Sequence, residues 1–113
     1  MLTIYHNPRC RKSRETLQLI KDADADVEVV EYLKNPLTED ELHDLLSKLN
    51  LPVDYLIRKN EELFKLQYKG KDFTEDQWVK VLSENPKLLE RPIVVKDDEA
   101  ILGRPPENVM KLL

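Results

Sequence analysis

The chain has 113 residues, 41% of them hydrophobic and 35% charged, and a net charge of −4. That length suits one domain with one core. The acidic balance excludes a surface given over to nucleic acid, and no apolar run approaches the length of a membrane span. A single cysteine excludes an internal disulfide. With no signal-type or transit-type start, this composition leads us to expect a reducing, cytoplasmic setting.

Thr3, Ile4 and Tyr5 are strand formers, and Asn7-Pro8 is a turn signal. A helical pattern follows Cys10, with Ser13, Leu17 and Ile20 on one face. Val27-Glu28-Val29-Val30-Glu31-Tyr32 reads as a second strand, and Asn35-Pro36 breaks the chain after it. Thr38-Glu39-Asp40-Glu41 is a capping box, followed by Leu42, Leu45, Leu46 and Leu49 at helical spacing. Pro52 suits the first turn of a short helix. Thr74-Glu75-Asp76-Gln77 is a second capping box, opening a helix that turns Trp78, Val81 and Leu82 inward and ends at Asn85-Pro86. Ile93-Val94-Val95 and Ala100-Ile101-Leu102 read as strands joined by a hairpin turn at Lys96-Asp97-Asp98-Glu99. Pro105-Pro106 starts a last helix, with Val109, Leu112 and Leu113 as its apolar stripe. The leucine stripes are core.

A parallel strand–helix–strand unit at the N-terminus and an antiparallel hairpin at the C-terminus join into a four-stranded mixed sheet flanked by helices. The expected fold is α/β and thioredoxin-like: one domain over 1–113, with a helical insertion at about 38–88 between its halves. In that arrangement the end of the first strand and the start of the first helix form the exposed reactive corner, and Cys10 lies there.

A sulfur at that junction meets the free N–H groups and the positive end of the helix dipole. Arg9, Arg11, Lys12 and Arg14 add positive charge around it. Both effects favour the thiolate, and four basic neighbours argue against burial in an apolar site. Arg58, Arg91 and Arg104 stand in marked contexts far apart in sequence. Each alone is a surface charge; converging, three guanidinium forks beside a thiolate make a site for a multiply charged tetrahedral oxyanion. His6 either ends the strand in a satisfied hydrogen bond or tunes the thiol. Ser13 is either an ordinary first-turn serine or a donor to the sulfur. Arg91-Pro92 enters a strand at the place where a thioredoxin-like fold carries a cis proline next to the reactive cysteine.

The segment Ile4-Tyr5-His6-Asn7-Pro8-Arg9-Cys10-Arg11-Lys12-Ser13-Arg14 resembles the active-site segment of the glutaredoxin-dependent arsenate reductases. Leu56-Ile57-Arg58-Lys59-Asn60, Arg91-Pro92-Ile93-Val94-Val95 and Gly103-Arg104-Pro105 match the family's other signature segments, in order. The resemblance runs from Thr3 to Leu113. It implies Cys10 as nucleophile, His6 and Ser13 as residues that lower its pKa, and Arg58, Arg91 and Arg104 as ligands of arsenate. It also implies glutathione as co-substrate and glutaredoxin as partner, with no bound cofactor, no metal, and a monomer that touches neither nucleic acid nor membrane. Some family members carry a longer C-terminal extension than this chain has. Two other readings share the fold. One is a redox-sensing transcription regulator of the Spx type, whose segment often has Cys-x-x-Cys where this chain has Cys10-Arg11-Lys12-Ser13. The other is a general glutathione-linked thiol oxidoreductase, which would not need the helical block or the three arginines.

Overall fold

The computed structural model describes residues 1–113. They form two compact units, one built from residues 1–35 and 91–113, the other from residues 36–90.

The first unit carries a four-stranded sheet: β1 (Leu2–His6), β2 (Val27–Glu31), β3 (Ile93–Lys96) and β4 (Glu99–Leu102), in the spatial order β2-β1-β3-β4. β1 runs parallel to β2 and antiparallel to β3, and β3 pairs antiparallel with β4. The fold is the thioredoxin-like mixed sheet with flanking helices. Helix α1 (Arg11–Asp22) makes the parallel crossover, and a 3₁₀ helix at Pro106–Leu112 closes the chain. Register sets the core. Ile4 stands opposite Val94, and Leu2 lies on the same face two residues back. Those three pack with Ile20 of α1 and with Val109 and Leu112 of the last helix. The face of α1 that is buried is Ser13, Thr16 and Ile20, with Leu17 only half-buried. The buried turn at Thr16 is held by its own Oγ1, which donates to the Lys12 carbonyl at 2.8 Å.

Three expectations shift here. The second strand stops at Glu31, and the hairpin turn narrows to Asp97-Asp98, with Asp97 at φ 54°. The last helix is 3₁₀ with three residues per turn, so Val109 and Leu112, three apart, share its buried side. Leu113, expected in that stripe, is exposed because it falls past the helix end.

The second unit is helical. α2 (Glu39–Leu49) and α3 (Glu75–Glu84) both start on complete capping boxes. Thr38 Oγ1 accepts the Glu41 amide at 3.1 Å, and Thr74 Oγ1 accepts the Gln77 amide at 3.2 Å. Such a cap stabilises a helix by about 1 kcal/mol. Leu42, Leu45, Leu46 and Leu49 are buried as their spacing requires. On α3 the inward residues are Trp78, Val79 and Leu82, while Val81 is half-buried. Pro52 caps the 3₁₀ turn Val53–Leu56 from outside it. A π-helical turn, Phe64–Tyr68, and a 3₁₀ turn, Pro86–Leu88, complete the unit. Two backbone stretches inside it run side by side: the Arg58 amide donates to the Leu88 carbonyl at 2.8 Å, and the Glu90 amide to the Leu56 carbonyl at 2.7 Å.

Candidate active site

Cys10 is the N-cap of α1, in extended backbone. Its amide donates to the Asn7 carbonyl at 2.9 Å, which closes the turn that delivers the sulfur to the helix start. Asn7 holds that turn from within: its Oδ1 accepts the Arg9 amide at 3.0 Å, and its own amide donates to Ser13 Oγ at 3.1 Å. No acidic residue occupies the first turn of α1, so the amide end of the helix is left to the thiol.

Cys10 is buried, 8% exposed, which the sequence reading did not expect. The reason is geometric. Arg9, Arg11, Lys12 and Arg14 all point to solvent, while Cys10 and Ser13 face inward. Arg11 pairs with Glu15 at 2.9 Å, and Arg14 donates to the Pro8 carbonyl at 3.0 Å. The charges that reach the sulfur come from elsewhere. Burial by itself pushes the Cys10 pKa up. The Ser13 amide, the Arg91 side chain as hydrogen-bond donor and charge, and the charge of Arg104 pull it down. The outcome is a thiol held below its ordinary pKa. The Ser13 amide does this without closing a full capping bond to the sulfur.

Arg91 and Arg104 arrive on two backbone features. Arg91 immediately precedes Pro92 across a cis peptide bond, at the entry to β3. Arg104 follows β4 and precedes Pro105 across a second cis bond, which nothing in the sequence reading anticipated. The two are tied together: Arg104 Nε donates to the Arg91 carbonyl at 2.8 Å, and Arg104 Nη2 lies 4.0 Å from Cys10 Sγ. The Nε of Arg91 is buried without a hydrogen-bond partner. That leaves a buried donor on a side chain that reaches the thiol, suited to the oxygen of an anion.

Gly103 makes this approach of chains workable. Its amide donates to the Pro92 carbonyl at 2.8 Å. A Cβ there would stand 2.7 Å from Pro92 Cγ and 2.8 Å from Thr16 Oγ1. Asn108 braces the same loop, its Nδ2 donating to the carbonyls of Leu102 at 3.1 Å and Arg104 at 3.2 Å. Thr16 and Asn108 were not singled out from the sequence; Asn7 entered the reading only as part of a turn signal, and Gly103 only as part of a matched segment.

His6 and Ser13 act together and not directly on the sulfur. The Ser13 hydroxyl is hydrogen-bonded to His6 Nδ1 and accepts the Asn7 amide. The expected side-chain donation from Ser13 to the sulfur is replaced by that of its backbone. His6 is buried at the end of β1, and burial is the largest influence lowering its pKa; Glu31 opposes this, while Lys21 and Arg14 add to it. His6 is therefore held toward its neutral form, and its tautomer sets which of Nδ1 and the Ser13 hydroxyl donates in their hydrogen bond.

Arg58 belongs to the other unit, where it pairs with Glu61 at 3.5 Å and Glu90 at 3.4 Å. In that unit His43, Glu75 and Asp76 also cluster on mostly exposed side chains. The 3.3 Å pair of His43 with Asp76 and the place of both acids in the first turn of α3 account for that cluster.

The arrangement defines a class: a thioredoxin-like domain with one activated thiol and two guanidinium groups aimed at it. Residues 5–112 match the model of the ArsC family. The chain is 45% identical to the uncharacterized protein YfgD of Escherichia coli (strain K12), the match covering 97% of this chain and 94% of that one. It is 39% identical to an arsenate reductase of Haemophilus influenzae, covering 97% of each. An arsenate reductase structure from Vibrio cholerae superposes with a TM-score of 0.94 at 41% identity, over 99% of this chain and 97% of that one. The chain belongs to the ArsC family.

Proposed function

We propose that this protein is an arsenate reductase, using Cys10 as nucleophile with glutathione and glutaredoxin as the source of electrons, in the cytoplasm. The observation that carries the reading is the pair of guanidinium groups of Arg91 and Arg104 on a buried, thiolate-favouring sulfur. The names of the arsenate reductases it matches support the same reading.

The chemistry follows from one thiol in the chain. The Cys10 thiolate attacks arsenic(V) and an arsenate oxygen leaves as water, forming a sulfur–arsenic bond. Glutathione displaces a second oxygen as water, so that arsenic carries both sulfurs. A glutaredoxin thiolate then attacks the glutathione sulfur. The sulfur–arsenic electron pair passes to arsenic, giving arsenic(III) and a glutaredoxin–glutathione disulfide. Water displaces arsenite from Cys10, and the thiolate is restored. Attack by an external thiolate on sulfur is ordinary thiol–disulfide chemistry. Arg91 and Arg104 offer forked, charge-assisted donors to arsenate oxygens, matching the planar geometry a guanidinium supplies. Arg58 is proposed as a third arsenate ligand on the family resemblance alone.

Steady-state arsenate turnover with glutathione and glutaredoxin tests the reading. Turnover that requires both thiols, and that falls in Arg58→Lys, Arg91→Lys and Arg104→Lys, supports it. A protein that exchanges with mixed disulfides yet leaves arsenate unreduced would overturn it in favour of a general thiol oxidoreductase.

A further inference from the structure

The helical unit holds a cavity of about 640 Å³ that the reductase chemistry does not use. Its volume falls in the range of small-molecule sites. The wall is aromatic. Phe64 and Trp78 stack with ring centroids 6.1 Å apart, Phe73 lies 5.0 Å from Trp78, and Tyr68 touches both Phe73 and Trp78. Tyr68 and Phe73 keep part of their rings accessible. The π-helical turn Phe64–Tyr68 and the tight turn after it, where Gly70 takes φ +80°, present this wall.

The rim is basic. Lys65, Lys69 and Lys71 border the cavity, are exposed, and enter no ion pair of the structure; Lys59 also borders it but is taken up by Asp54 at 2.6 Å. Asp72 is the one unpaired acid on the rim. On a chain whose net charge is −4, three free cations over an aromatic floor form a local field of the opposite sign.

We propose that this cavity is a binding site for a small amphipathic anion, one with a flat or branched apolar body and a single carboxylate, sulfonate or phosphate. The apolar body lies against Phe73, Tyr68 and Trp78, and the charge is met by Lys65, Lys69 and Lys71. The site is independent of Cys10 and of the reductase reading.

Trp78 is the only tryptophan of the chain and lines this cavity, so a probe bound there quenches its fluorescence. The test titrates the folded protein at pH 7 with 8-anilinonaphthalene-1-sulfonate, and in parallel with its uncharged relative N-phenyl-1-naphthylamine. The expected result is saturable, one-to-one quenching of Trp78 by the sulfonate, with tighter binding than the uncharged probe, weakening as salt is raised. A ligand-dependent rise in the thermal midpoint shows that the folded state is what binds. Charge reversal at Lys65, Lys69 and Lys71, all exposed, should weaken the sulfonate by about tenfold and leave the uncharged probe unchanged. Circular dichroism of this triple variant checks its fold, and the salt dependence in the parent stands as the second measurement. Absence of saturable quenching, equal binding of both probes, or parent-like affinity in the folded triple variant would each overturn the proposal.

Discussion

Two sets of positive charge surround Cys10, and they do different things. Arg9, Arg11, Lys12 and Arg14 are its neighbours in sequence, and all four point away into solvent. Arg91 and Arg104 lie 81 and 94 residues further on by number, and they are the ones that draw the thiol toward its charged form. Helix geometry turns Arg11 and Lys12, about 100° and about 200° past the N-cap, away from it; Arg9 lies outside the helix, and Arg14, one turn on, donates to the Pro8 carbonyl instead. Charge in the sequence neighbourhood of a thiol is therefore weak evidence of charge at the thiol. What counts is which backbone returns to it. Here that backbone is the Arg91-Pro92 entry to β3 and the Gly103-Arg104 turn after β4.

The sharpest way to break this comparison is to remove its centre. Cys10→Ser should abolish arsenate turnover and leave the circular dichroism spectrum unchanged, since serine is a good N-cap. Next in size are the returning arginines. Arg91→Lys and Arg104→Lys keep the charge and lose the fork. Each should slow arsenate turnover by roughly ten- to hundredfold, the effect of losing a charged hydrogen bond of about 1.5–3 kcal/mol. Glutamine at Arg9, Arg11, Lys12 or Arg14 should cost no more than about fivefold by the same assay, as an exposed charge contributes about 0–1 kcal/mol. Gly103→Ala sharpens the comparison from the side of stability. Its Cβ would meet Pro92 Cγ at 2.7 Å and Thr16 Oγ1 at 2.8 Å, so chemical denaturation should show a loss of about 1–3 kcal/mol.

The smallest expected effect concerns His6. Its folded pKa lies below the ordinary value of 6.5, so the unfolded chain binds its proton more readily. Stability should then fall as pH drops from about 6.5 toward the folded pKa, and be fully present above that window. His6→Asn should flatten this part of the stability profile; an unchanged slope would remove the neutral, Ser13-bonded imidazole from the account.

Much of this was legible in the sequence where the cause is local. Both capping boxes form as read, because a threonine and a glutamate or glutamine three residues on need only their own turn. The strands and the leucine face of α2 follow from patterning. The features that were misread depend on what comes back from a distance. Val79 in place of Val81 turns inward because the face of α3 is chosen by what packs on it. The burial of Cys10 escapes a rule based on neighbouring charge. The Ser13 hydroxyl is drawn to His6 because β1 ends beside α1, and spacing from Cys10 alone does not show that. Asn7, Gly103 and Asn108 support the site through backbone groups, and such roles leave little mark on composition.

The central claim is that the positive charge acting on the Cys10 thiol, beside the Ser13 amide, is that of Arg91 and Arg104 and not that of the basic residues of the α1 segment. Ultraviolet thiolate absorbance against pH, followed in three proteins, tests it most directly: the parent, the Arg91→Gln/Arg104→Gln double variant, and a variant with glutamine at Arg9, Arg11, Lys12 and Arg14. The account predicts a parent midpoint below the ordinary thiol value, a clear upward shift in the double variant, and little movement in the fourfold variant. A parent midpoint at or above the ordinary value, or a shift confined to the fourfold variant, would contradict it.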